Sequence, residues 1–268
     1  MNDVPIGTEV DVDAVLGYLT PERGWLVLPA FAEPHAHLDK AFLAERVDNP
    51  TGDLMGAIEA MVAYSPHITF DDIVERAERA ALLMLANGTT AIRTHADLMA
   101  DKGLRNVEAL LTVRDRLAHL VDIEVVVLCG WPSCGEVGKV HRDLLREALA
   151  MGADLAGGCP HLEDDGVEAT DLFLEIAAEA GRPIDLHTDE TLDPAKLPRP
   201  SVRPPGWSRW GSSTRLASHC CSLAMQPYRC SDGWPTRRRR RASTWSRPPP
   251  HQPVPAGSRI TSRRCRAG

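Results

Sequence analysis

From about residue 25 to residue 188, apolar runs of strand length alternate with amphipathic runs of helix length about every 30 residues. A parallel sheet with helical crossovers accommodates that rhythm, because parallel neighbours need a long connection and right-handed strand-helix-strand units supply it. The spacing predicts helices over 53–64, 70–86, 103–119, 141–150 and 167–180. In the second, Ile73, Val74, Ala77, Ala80, Ala81, Met84 and Leu85 recur at helical spacing, Asp71 and Asp72 favour its positive end, and Asn87-Gly88 stops it. Strands are predicted at Thr89–His95, Ile123–Leu128, Asp154–Cys159, Pro183–His187 and Arg215–His219. Ile123–Leu128 is nearly continuous in apolar, largely β-branched residues, as a strand covered on both faces should be.

Leu26 to Lys40 reads as a buried first strand that ends in a metal half-site, Pro34-His35-Ala36-His37. In an extended chain residues two apart share a side, so His35 and His37 can present two imidazoles to one ion while Ala36 points away. His187 offers a third nitrogen, and Glu190, three residues on, is a carboxylate able to move a proton between water and a leaving nitrogen. Glu190 also reads simply as an acidic residue opening the next helix. A (β/α)8 barrel and an open doubly wound sheet both fit the alternation. No Gly-x-Gly-x-x-Gly or Gly-x-x-x-x-Gly-Lys-Ser/Thr follows a strand, which removes the usual nucleotide-binding reason for the open sheet. The barrel gains because its site gathers residues from the C-terminal ends of separate strands, where His35, His37, His95 and His187 all fall.

Charge divides the chain. From Met1 to Lys196, 36 acids stand against 15 bases, whereas from Leu197 onward 15 arginines face the single acid Asp232. No apolar run reaches the roughly 18 to 20 residues of a membrane span, and the first residues lack the basic and apolar regions of a secretory leader. A cytoplasmic protein is the expectation. The seven cysteines, with Cys220 and Cys221 adjacent, follow neither disulfide-framework nor Cys-x-x-Cys spacing and read as reduced thiols.

Five stretches together carry a resemblance: Pro-His-Ala-His-Leu-Asp-Lys at 34–40, Arg-Thr-His-Ala-Asp at 93–97, Gly-Ala-Asp at 152–154 with Pro-His-Leu-Glu at 160–163, Asp-Leu-His-Thr-Asp-Glu at 185–190, and Ala-Ser-His-Cys at 217–220. In this order and spacing they resemble the cytosine deaminase branch of the amidohydrolase superfamily, over residues 22–197 and the island 216–226. The resemblance implies a metal-dependent (β/α)8 hydrolase beside a small β-sandwich, deaminating cytosine or a related nitrogen heterocycle with one divalent ion, zinc or iron. By matching motif, His35, His37 and His187 would be metal ligands, Glu190 the proton shuttle, and His219 a residue holding the attacking water. Another amidohydrolase activity, on a cyclic amide or a chlorinated ring, shares every motif. The resemblance also implies that oligomers are possible.

The chain departs from that pattern in two places. Leu128 to Gly135 lacks the glutamine with which the cytosine enzymes read the pyrimidine edge, so cytosine's polar groups would go unpaired there. Beyond residue 226 the arginine-, proline- and serine-rich sequence has no periodicity, and nothing corresponds to the family's last two strands or to the aspartate ligand ending the eighth. We read this tail as translation out of register. Codons compatible with His251 to Arg259, shifted by one base, can spell a stretch similar to the family's Asn-x-x-Leu-Gln-Gly-Arg. The expected organisation is an α/β chain with an incomplete TIM-type barrel: a small β-domain remnant over 1–24, barrel units one to five over 25–197, a degraded sixth over 198–226, and a disordered tail over 227–268. An unclosed barrel leaves two bare strand edges, so impaired activity is expected. A rival reading makes Arg237 to Arg241 and the nearby tryptophans a nucleic-acid-binding tail on a non-catalytic carrier, but the tail lacks any recognisable binding fold, and no nucleic-acid partner is expected.

Overall fold

The computed structural model describes residues 29–188, Glu190 and the strand 215–219. The expected β-domain remnant over 1–24 and the tail over 227–268 lie outside the described residues.

Six strands, β1 Phe31–Ala36, β2 Thr89–Leu98, β3 Asp122–Cys129, β4 Leu155–Gly158, β5 Ile184–Thr188 and β6 Arg215–His219, form one sheet in the order β1-β2-β3-β4-β5-β6. Every neighbouring pair is parallel. A doubly wound sheet reverses its strand order partway; this one never does, which decides between the two architectures left open by sequence. The sheet is also strongly curled. Across a flat sheet β1 and β5 would stand about 19 Å apart, four steps of roughly 4.8 Å, yet the His35 and His187 rings, one from each, have centroids 4.7 Å apart. It is an incomplete TIM-type barrel.

Helices α1 Leu54–Tyr64, α2 Phe70–Ala86, α3 Arg105–Leu117, α4 Lys139–Met151 and α5 Gly166–Glu179 connect the first five strands, each within a few residues of its predicted bounds. In α2 the Thr69 hydroxyl accepts the Asp72 N–H at 3.2 Å and caps the first turn. Asn87 caps its other end and Gly88 follows at φ 93°, where a side chain would be strained. Gly152 ends α4 in the same left-handed way, at φ 115°. The core lies between sheet and helices, with Ile73, Ala77 and Ala81 of α2, Val107 and Leu110 of α3 and Phe173 of α5 all buried. A Cβ on Gly158 would come within 2.4 Å of the Phe173 ring, so that position of β4 must stay bare.

The first strand corrects the expectation. It is short, and Phe31, Ala32 and Pro34 are exposed rather than buried. Among the described residues β1 has a sheet neighbour on one side only, so its outer edge and part of its faces are uncovered.

Candidate metal centre

Strand alternation puts Arg93, His95 and Asp97 of β2 on one face, and Asp185 and His187 of β5 on one face. The curl turns both faces inward. Two salt-linked layers result.

In the lower layer the Arg93 guanidinium donates to Asp185 Oδ2 at 3.0 Å and, through two nitrogens, to Glu124 Oε2 at 3.0 and 2.7 Å. Arg93 and Asp185 are buried. An ion pair this deep holds only with its hydrogen bonds made, and here it ties β2 to β5 directly beneath the histidines. Asp185 Oδ2 also lies 3.8 Å from His95 Nε2.

The upper layer holds the histidines. The imidazoles of His35, His37, His95 and His187 place one ligand nitrogen each within 4.8 Å of one another, and their ring centroids are separated by 4.3 to 5.3 Å. Nothing in packing alone favours four imidazoles facing one another. His95 Nε2 is buried without a hydrogen bond, which strands a polar atom unless something occupies the centre. Burial, then Lys40 and the three neighbouring imidazoles, hold His37 well below the usual imidazole range, so it stays neutral, the form that binds metal. A nitrogen-rich, neutral, converging donor set fits a first-row divalent ion.

The turn after His37 is fixed with equal care. The Asp39 side chain is buried, and its Oδ2 accepts the Asp97 N–H at 3.0 Å and the Asn106 amide at 3.1 Å. Arg76 of α2 donates to the carbonyls of Asp39 and Ala41 at 2.9 and 2.8 Å, and Leu38 N–H to the Thr94 hydroxyl at 2.9 Å. Lys40 Nζ donates to Asp97 Oδ1 at 2.7 Å and stands 3.1 Å from His37 Nδ1. Burial alone would lower the Lys40 ammonium, but Asp39 and Asp97 outweigh it and push it above the ordinary lysine range.

Above the histidines opens a cavity of about 600 Å³, lined by His35, His37, His187, Lys40, Asp97 and Glu190 among others. Glu190 Oε2 lies 3.8 Å from His187 Nδ1. Cys129 and Cys159 also border it, and burial first of all raises both thiols, that of Cys129 to about 12, so they stay protonated and compete poorly as ligands.

Of the residues singled out from sequence, His35, His37 and His187 meet, with Glu190 at the rim. His219 ends β6, paired in register with Thr188; its side chain lies outside the described residues. Sequence reasoning noticed His95 at a strand end without making it a ligand, and missed the Lys40–Asp97–Asp39–Asn106 and Arg93–Asp185–Glu124 networks. The signal was available, since three polar residues alternating through the buried strand Thr89–Leu98 must face something polar.

A curled parallel sheet whose strand ends converge histidines over buried carboxylates defines the class of barrel metallohydrolases. No family model matches the chain. It is 31% identical over 205 residues to a pterin deaminase of Rhizobium rhizogenes (strain K84 / ATCC BAA-868), covering 76% of this chain and 46% of that protein. It is likewise 31% identical over 196 residues to an N-isopropylammelide isopropyl amidohydrolase of Pseudomonas sp. (strain ADP), covering 70% of this chain and 48% of the relative. The structure of a 5-methylcytosine deaminase from Klebsiella pneumoniae liganded with 5-fluorocytosine superposes with a TM-score of 0.67 at 31% identity, over 76% of this chain and 50% of that one. The chain belongs to the metal-dependent amidohydrolase superfamily and is cytosine deaminase-like. It spans about half the length of the relatives it matches.

Proposed function

We propose that this chain carries the metal-binding half of a hydrolase that deaminates a nitrogen heterocycle, with one divalent ion, zinc or ferrous iron, held by His35, His37 and His187. The observation that carries this reading is the meeting of imidazoles from β1, its following turn, β2 and β5 under a cavity with Glu190 at its rim. His95 is within reach as a further donor. Held by these imidazoles, such an ion would supply the Lewis acidity that lets a water give up a proton near neutral pH. Glu190 then accepts a proton on one Oε and delivers it to the departing nitrogen, the work of a general acid–base carboxylate beside the reacting atoms. Lys40 and Asp97 present opposite charges to the substrate's polar edge, and Asp39 holds both in place. We further propose that His219 acts on the attacking water, as its motif implies.

Turnover is expected to be impaired. Among the described residues neither β1 nor β6 has a second strand beside it, and no carboxylate joins the four histidines as a ligand. Metal analysis of the purified chain after loading with zinc or ferrous iron tests the reading. About one ion per chain is expected, and His187→Ala should lose most of it; a chain that binds no metal, or binds it equally well without His187, refutes the proposal. A screen of cyclic amidines and triazines then addresses the reaction, and ordinary turnover on cytosine would refute the expected impairment.

A further inference from the structure

Strands β2 and β3 stay in register to their last pair, Leu98 with Cys129, and then part. Backbone groups beyond such a fork need new partners, and one side chain of α4 supplies two of them. The buried His141 stands between the loops: its Nε2 accepts the Ala100 N–H at 3.1 Å, and its Nδ1 lies 2.8 Å from the Pro132 carbonyl oxygen. A carbonyl only accepts and an amide N–H only donates, so the two bonds together leave one form of the ring, neutral with its proton on Nδ1. The peptide after Pro132 is gripped on both sides, because its N–H, that of Ser133, lies on Glu163 Oε1 at 2.6 Å. Gly130, the first residue past β3, makes room for the ring. A Cβ there would come within 2.5 Å of the Leu98 carbonyl oxygen and 2.9 Å of His141 Cδ2. Met99, Asp101 and Lys102 of the first loop and Gly130 and Trp131 of the second line the cavity.

We infer that His141 is a positioning residue, a clasp that joins the loop after β2 to the loop after β3 and so fixes one side of the cavity from behind. That the fixed side serves a reaction rests on the function proposed above; the clasp itself does not. Each bond sets one loop. Loss of the acceptor frees Ala100 and with it the turn around it, which otherwise closes only on itself, through the Lys102 and Gly103 N–H groups on the Met99 carbonyl, both at 2.9 Å. Loss of the donor frees the Pro132 carbonyl and loosens the Ser133 N–H that shares its peptide plane.

The test uses the full-length chain loaded with zinc and reads hydrogen exchange amide by amide. Ala100 is an exposed residue, so without the clasp its N–H would meet water; in the parent chain it should exchange at least roughly tenfold more slowly than in an unstructured chain. An unprotected Ala100 amide overturns the inference whatever the variants do. His141→Asn keeps a donor near the Nδ1 position and gives up the acceptor, so Ala100 should exchange roughly tenfold faster while Ser133 changes little. His141→Gln reaches the Nε2 position with an acceptor and gives up the donor to Pro132, so Ser133 should exchange faster while Ala100 stays protected. Equal effects of the two substitutions on both loops would make His141 a packing residue and overturn the inference. Zinc content should match the parent in both variants, since the clasped loops carry none of His35, His37 and His187; a variant that loses its zinc overturns the inference as well. A parent chain that binds no zinc refutes the proposed function, and the clasp then stands or falls on the same amides.

Discussion

The two sides of the cavity are held in opposite ways. The histidines stand on strands pinned by buried charge, with Arg93 bridging β2 to β5 below and Asp39, Asn106 and Arg76 wiring the turn after His37 to α2 and α3. Helix α1 has no buried residue and makes its principal described contact with the short turn that follows it. Metal ligands must keep their geometry to a few tenths of an ångström, so they require a stiff support. On the function proposed above, the rigid side of the cavity is the one that would hold the metal.

Removing the floor's charge pairing should break this contrast most severely. Asp185→Ala takes a buried carboxylate partner from the Arg93 guanidinium while leaving that charge buried, and a loss of about 3–5 kcal/mol is expected, read from urea denaturation. A smaller loss means that water reaches the floor and that the barrel interior is looser than it looks. Asp39→Ala should cost about 1–3 kcal/mol. It should also weaken zinc affinity by roughly 10- to 100-fold, because the turn carrying His37 and Lys40 loses its anchor; competition with a chromogenic chelator measures this. Unchanged affinity would show that His37 is held without the turn.

Two milder changes sharpen the comparison from the helix side. Thr69→Ala removes the cap of α2, a helix with a full apolar face, and should cost about 1 kcal/mol by the same denaturation assay. Ile58→Ala on α1 should change stability by less than about 0.5 kcal/mol, since it uncovers no core. In hydrogen exchange the amides of 54–64 should open well before those of β2 and β3. Equal protection in the two regions would end the distinction between stiff floor and yielding wall.

How much of this was legible depended on whether a feature is local. The five helices, the strands β2 to β5 and the stop at Gly88 follow from periodicity and from residues that tolerate positive φ, and their bounds are legible to within about three residues. His35 and His37 were legible because two residues apart means one side of the chain. His187 was legible because a barrel collects strand ends. The Thr69 cap was not singled out although it is local. The burial of β1 was misjudged because an apolar run reports what a strand could bury, while its cover comes from neighbours that the described residues do not supply.

Sequence by itself determined the alternation, the parallel sheet, the family and three of the four converging imidazoles. The tertiary structure decided that the sheet curls without reversing order, since that depends on how strands four places apart approach. It likewise decided that Arg93 meets Asp185 at a separation of 92 residues, and that Asp39, an ordinary acid in the sequence, is a buried bracket. Pairings across such distances depend on the closure of the sheet, which no local pattern encodes. The same folding sets Leu54, Ala57, Ile58, Met61 and Val62 of α1 along the cavity above the histidines.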